Sequence, residues 1–103
     1  MKFSIVVPAY NEGKHIYDNL LVISKCVSGF VSDFEIIPVN DGSKDNTADE
    51  INRAGEADSR IVPVSYEKNK GKGGAIATGI EKASGDVIGF IDADLDLSPM
   101  LFK

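Results

Sequence analysis

Apolar residues in this chain fall into short blocks that alternate between two spacings. Phe3-Ser4-Ile5-Val6-Val7 is a β-branched run closed by Pro8, which donates nothing to a sheet ladder, so a first strand is expected to end there. A polar loop from Ala9 to Gly13 leads to Ile16, Leu20, Ile23 and Val27, spaced as on one face of a helix, with Gly29 as the stop. Phe34 to Val39 forms a second strand, ended by the turn cluster Asn40-Asp41-Gly42-Ser43, and Pro38 within it predicts a ladder defect or a strand end close by. Asp45, or Thr47 with Glu50 in capping-box spacing, opens a weakly apolar, peripheral helix that turns Ala48, Ile51 and Ala54 inward. Ile61 to Tyr66 is a third strand, placed at a sheet edge by Pro63. After a loop rich in Lys and Gly, Ile76, Ile80 and Ala83 mark a third helix stopped by Gly85. Val87 to Ile91 reads as a buried parallel strand that stops at Asp92, Asp94 and Asp96. Beyond it, Ser98-Pro99 has the order of a helix start, too close to Lys103 for a full helix.

Strands alternating with helices predict an α/β domain. The expected sheet is open, mainly parallel and Rossmann-like, with about four strands in the order 3-2-1-4 and helices on both faces. Such sheets bind ligands beyond the carboxyl ends of their strands, where the strand order reverses. The unusual polar clusters of this chain all fall at such ends: Tyr10-Asn11-Glu12, Asp41, Lys68 to Gly74, and Asp92 to Asp96.

Composition narrows the picture. A length of 103 residues fits one small domain, and a net charge of -5 argues against a general nucleic-acid binder, Lys68, Lys70 and Lys72 being the one local exception. Cys26 stands alone, which rules out an internal disulfide, favours a reducing compartment and suggests a small core residue. There is neither a signal-peptide pattern nor an apolar stretch of membrane-spanning length, so a cytoplasmic protein is expected, with attachment to the cytoplasmic membrane surface left open. His15 falls on the polar side of the first helix and receives no catalytic role.

Carboxylates on alternate residues of an extended chain share a face and repel one another unless a cation compensates. Asp94 and Asp96 therefore suit Mg²⁺ or Mn²⁺, hard ions that use one or two carboxylates and leave other positions to phosphate oxygens and water. The plainer alternative is a solvated acidic turn. Gly71-Lys72-Gly73-Gly74, opening a helix, brings backbone N–H groups and a cation toward an anion, or simply lets the helix pack closely; the two are compatible. It is neither a P-loop nor a dinucleotide fingerprint. Asp41 before Gly42-Ser43 is either an Asx-turn or an acceptor for a nucleobase or ribose. Tyr10 either stacks on a base or covers the core edge.

These stretches together resemble the nucleotide-binding half of the family 2 glycosyltransferases, inverting enzymes of the GT-A fold. Val6-Val7-Pro8-Ala9-Tyr10-Asn11-Glu12 resembles the family's opening strand, and Val39-Asn40-Asp41-Gly42-Ser43-Lys44-Asp45-Asn46-Thr47 its second motif. Asn69-Lys70-Gly71-Lys72-Gly73-Gly74-Ala75 resembles the third motif and Asp92-Ala93-Asp94 the Asp-x-Asp signature. Asp92-Ala93-Asp94-Leu95 looks most like the polyprenyl-phosphate (dolichyl-phosphate) mannosyl- and glucosyltransferases. The resemblance implies that Pro8, Ala9, Tyr10, Glu12 and Asp41 contact the nucleoside of a nucleotide sugar; Lys72, in the glycine loop that opens a helix, is the candidate cation for its phosphates. It implies that Asp92 and Ala93 approach the ribose or sugar and that Asp94 binds the metal, with Asp96 as a second ligand. Two positions depart from the family pattern: Asn40, where Asp is common, and Pro38, in a strand usually all aliphatic. The expected activity is metal-assisted sugar transfer with inversion from a nucleoside-diphosphate sugar to an acceptor such as a polyprenyl phosphate or glycan. Residues 1–103 are expected to be the nucleotide-sugar-binding half, with the acceptor half and the general base beyond Lys103 and the isolated chain weak or inactive. The alternative is a non-catalytic nucleotide-binding or scaffold fragment. Either could form a homo-oligomer through an exposed sheet edge.

Overall fold

The computed structural model describes residues 1–91. Asp92, Ala93, Asp94 and Asp96, and the helix start at Ser98, lie outside the described residues.

The elements follow the expected alternation: β1 (Phe3–Ala9), α1 (Ile16–Ser28), β2 (Phe34–Asp41), α2 (Thr47–Ala57), β3 (Val64–Tyr66), α3 (Gly71–Lys82) and β4 (Val87–Phe90). All strand pairs are parallel, as the alternation predicts, and the sheet order is β3-β2-β1-β4, as expected. α1 and α2 cover one face. Their Ile16, Leu20, Ile23, Val27, Ile51 and Ala54 pack on Val7, Ala9 and Ile36. Each such aliphatic side chain taken from water contributes about 1.5–3 kcal/mol, so the α1 stripe anchors the fold. α3 covers the opposite face, where Ala75 meets Val6, Ile37 and Val39.

The prolines act on one side of a strand each. In a parallel strand the N–H and C=O of one residue point to the same neighbour, and the next residue points to the other. Ile36 bonds toward β3, donating to Arg60 O and accepting from Val62 N, so Pro38 lacks its donor on that side. The β2–β3 ladder is accordingly broken between the Ile36↔Ile61 bridge and the pairing that begins at Val39↔Val64, while β2 pairs with β1 without interruption. β3 is thereby cut from the expected Ile61–Tyr66 to three residues at the sheet edge. Pro8 does not end β1. It faces β4, where the described ladder stops at Val6↔Phe90, while Pro8↔Val39 and Ala9↔Asn40 still pair with β2.

Three packing expectations are corrected. α3 buries Ala75 and Gly79, not Ile80, which is 47% exposed. A Cβ on Gly79 would overlap Val6 Cγ1 and lie 3.2 Å from Val39 Cγ2, so the helix backbone itself lies on the sheet and its longer side chains point away. Among the described residues β4 is an edge strand, with Val87, Ile88 and Phe90 exposed rather than buried. Cys26 is half-buried on α1 and not a core residue. Among the described residues no helix is long and apolar enough to cross a membrane.

Candidate functional site

The carboxyl ends of β1, β2 and β3 feed three loops that are tied to one another. Asn11, at the unusual φ of 52°, turns the β1–α1 loop, and its Oδ1 accepts the Lys44 N–H at 2.9 Å. Its own N–H donates to Ser43 Oγ at 2.8 Å. Asn tolerates this left-handed conformation better than most residues. The Glu12 N–H donates to Thr47 Oγ1 at 2.9 Å and the Gly13 N–H to Asp45 Oδ2 at 3.1 Å. Asp45 Oδ1 in turn accepts the Thr47 N–H and the Thr47 hydroxyl. The Thr47 hydroxyl, set against a smaller cost of burial, holds the Asp45 carboxyl below its ordinary range. Asp45 and Thr47, expected to cap α2, thus bind the β1–α1 loop to the β2–α2 loop. Glu50 pairs with Arg53 instead of closing a capping box.

The second tie runs from Asp41 to the β3–α3 loop. Asp41 is 4% exposed, on the face of β2 that α3 covers. Its Oδ1 accepts the Tyr66 hydroxyl at 2.6 Å and the Lys70 N–H at 2.8 Å, and its Oδ2 accepts the Asn69 amide at 3.1 Å. Burial and the bond to Asp41 both raise the Tyr66 phenol well above its ordinary value, so it stays a donor. The Asx-type turn expected of Asp41 belongs to Asn40, whose Oδ1 accepts the Ser43 N–H at 3.1 Å. Gly42, at φ 65°, completes that turn; a Cβ there would stand 2.5 Å from Asn69 N. Sequence reasoning missed Tyr66 and Asn69. The local signals of tight loops here are the residue types Asn11 and Gly42, both of which adopt the left-handed conformation.

Around these ties lie groups able to meet a ligand. Tyr10 is 46% exposed beyond the end of β1, so its ring does not serve to cover the core. Pro8 and Ala9 end β1 beside it, and Glu12 follows on the same loop. Gly71, at φ 83°, opens α3, and neither it nor Gly73 has another group within 4 Å of where a Cβ would sit. The close packing foreseen for this glycine cluster occurs at Gly79 instead; the Gly71 N–H is taken by Asn69 Oδ1 at 3.1 Å, and the first turn of α3, bare of side chains at Gly71 and Gly73, carries the exposed Lys72. β4, paired with β1, runs toward the same edge up to Ile91. Among the described residues no group of three or more His, Cys, Asp or Glu could hold a metal ion.

The family described as "Glycosyl transferase family 2" matches residues 4–103. The undecaprenyl-phosphate 4-deoxy-4-formamido-L-arabinose transferase of Pseudomonas syringae pv. syringae is 40% identical over 97 residues, a match that takes in 93% of this chain and 29% of that protein. Two solved structures share the fold. The mannosyltransferase PcManGT from Pyrobaculum calidifontis, in complex with GDP-Man and Mn²⁺, has a TM-score of 0.79 at 26% identity over 89% of this chain and 27% of its own. S. aureus TarS in complex with UDP-GlcNAc has a TM-score of 0.74 at 29% identity, over 91% and 27% of the two chains. The chain spans about three tenths of the length of the curated relatives it matches.

Proposed function

The chain belongs to glycosyl transferase family 2, and from that premise we propose that it binds the nucleoside-diphosphate sugar of a metal-assisted, inverting sugar transfer, with a polyprenyl phosphate as the acceptor. The observation that carries this reading is the convergence, at one edge of the sheet, of loops bearing the exposed Tyr10, the clamped Asp41 and the open first turn of α3. Pro8, Ala9, Tyr10, Glu12 and Asp41 are assigned to the nucleoside, Tyr10 by stacking and Asp41 by accepting a hydrogen bond. Lys72 and the N–H groups of α3 are assigned to the diphosphate. Asp92 and Ala93, on the chain that leaves β4, are assigned to the ribose or sugar. We read residues 1–103 as the nucleotide-sugar-binding portion of the transferase, which the share of its relatives that it matches supports.

A divalent cation, Mg²⁺ or Mn²⁺, is assigned to Asp94 with Asp96. Their hard oxygen donors fit these ions, and the described residues supply no competing cluster. When bound, the ion would offset the charge that gathers on the leaving diphosphate. The acceptor attacks the anomeric carbon opposite that leaving group; a phosphate acceptor, already anionic, needs little help from a base. The relative named for undecaprenyl-phosphate supports a lipid-linked acceptor, and hence action at a membrane surface.

Calorimetric titration with nucleoside diphosphates, with and without Mn²⁺, tests the proposal. Binding is expected with Mn²⁺ and should weaken at least tenfold on its removal or in Asp94→Asn, a loss of about 1.4 kcal/mol. Absence of any metal-dependent nucleotide binding rejects it.

A further inference from the structure

We infer that Tyr66 and Asn69 set the base preference of the site by leaving Asp41 one acceptor position, suited to the single imide N–H of uracil or thymine and not to the paired donors of guanine. The inference rests on the proposal that Asp41 meets the nucleoside; it adds which nucleoside, and which residues decide.

A carboxylate has two oxygens and about four lone-pair directions. The Tyr66 hydroxyl and the Lys70 N–H, at 2.6 and 2.8 Å, take both directions of Asp41 Oδ1. The Asn69 amide, at 3.1 Å, takes one direction of Oδ2 and, among the described residues, leaves one. With only 4% of Asp41 exposed, the opening fits a contact with one group and not with a broad edge.

Guanine presents N1–H and N2–H side by side, and two parallel donors need two free acceptor directions, best one on each oxygen of a carboxylate. Its second donor would meet the saturated Oδ1 and stay unpaired. Uracil and thymine present one N–H between two carbonyls. Cytosine and adenine present a bare ring nitrogen there, an acceptor set against an acceptor. A carboxylate free at both oxygens could accept either pattern, so the discrimination comes from two residues that need not touch the ligand. Kinship does not decide the base, since one neighbour holds GDP-Man and another UDP-GlcNAc.

The full 103-residue chain, titrated with UDP, GDP and CDP in the presence of Mn²⁺, gives the test. UDP is expected to bind roughly tenfold or more tightly than GDP, the usual consequence of one buried unpaired donor. Tyr66→Phe frees a direction on Oδ1 and should narrow the UDP-to-GDP ratio several-fold, chiefly by strengthening GDP. Asn69→Ala frees a second direction on Oδ2, where both donors of guanine can share one oxygen, and should move the ratio the same way by a smaller amount, so the result does not hang on one variant folding well. GDP or CDP matching UDP in the unmodified chain overturns the inference and leaves the proposed function standing, as does a ratio unmoved in both variants. Binding of none of the three rejects the proposed function, and the base preference falls with it.

Discussion

β2 carries two buried carboxylates, Glu35 near one end and Asp41 at the other, and both project on the face that α3 covers. Asp41 holds the loop that enters α3. Glu35 holds the connection that leaves it: its Oε2 accepts the Ser84 N–H and the Ser4 hydroxyl at 2.7 Å each, and Lys2 Nζ stands 3.6 Å from its Oε1. The Ser4 hydroxyl in turn accepts the Gly85 N–H at 2.8 Å. One strand thus staples the helix at both ends. The difference lies in who supplies the donors. At the amino edge Glu35 also draws on a nearby cation, whereas at the carboxyl edge Asp41 is met, among the described residues, by neutral donors alone and keeps one acceptor direction. The same side-chain chemistry yields a latch at one end and a binding group at the other.

Removing the binding group should have the largest effect. Asp41→Ala leaves the Tyr66 hydroxyl, the Asn69 amide and the Lys70 N–H without their acceptor, at a cost of about 3 kcal/mol in denaturant unfolding, together with loss of nucleotide binding. Unchanged affinity in a folded variant would reduce Asp41 to a second latch and end the contrast. Between the two staples the helix backbone lies directly on the sheet at Gly79. Gly79→Ala drives a methyl group into Val6 and Val39, which are fully buried and have nowhere to go. Overpacking of this kind costs roughly 2 kcal/mol. Because α3 would then lift at its middle, nucleotide affinity should fall less than stability. A neutral effect on unfolding would mean that the staples, not the close approach, set the helix position.

How far the sequence could foresee this depended on whether a feature was local. The stripe Ile16, Leu20, Ile23 and Val27 was legible because helical spacing is written within a dozen residues, and all four side chains are buried. The parallel sheet followed from the alternation of elements and the handedness of crossovers, while its strand order came with the family resemblance. Pro38 announced a ladder defect but not its side, which depends on the direction its missing N–H would have pointed. Asp41 read equally well as an Asx-turn because its partners, Tyr66 and Asn69, lie more than twenty residues downstream. α3 was misread for a related reason: a hydrophobic pattern counts side chains, and this helix packs through Gly79, which has none. Of the candidate site, the loops of β1, β2 and β3 come together as expected, while the Asp92 to Asp96 stretch lies outside the described residues.

The smallest expected effect belongs to the latch, and pH separates it from the binding group. Burial alone would raise the Glu35 carboxyl; the Ser84 N–H, the Ser4 and Ser84 hydroxyls and Lys2 outweigh it and hold the group below its ordinary value of 4.5. A carboxylate depressed on folding adds stability that is fully present above its unfolded value and drains away as pH falls through the folded one. Glu35→Gln keeps a carbonyl acceptor but loses the charge, so at neutral pH it should cost about 1 kcal/mol. The two unfolding curves should then converge as the pH is lowered below 4.5, where the native carboxylate is itself being neutralised. Nucleotide affinity at neutral pH should match that of the unmodified chain, because Glu35 sits at the edge of the sheet away from Tyr10 and Asp41. Matched urea titrations across that pH range, paired with one nucleotide titration at neutral pH, decide the point. If the stability gap stays constant as pH falls, the charge of Glu35 does not carry the latch. If affinity drops together with stability, the two ends of β2 act as one unit through α3, and the separation of latch from binding group fails.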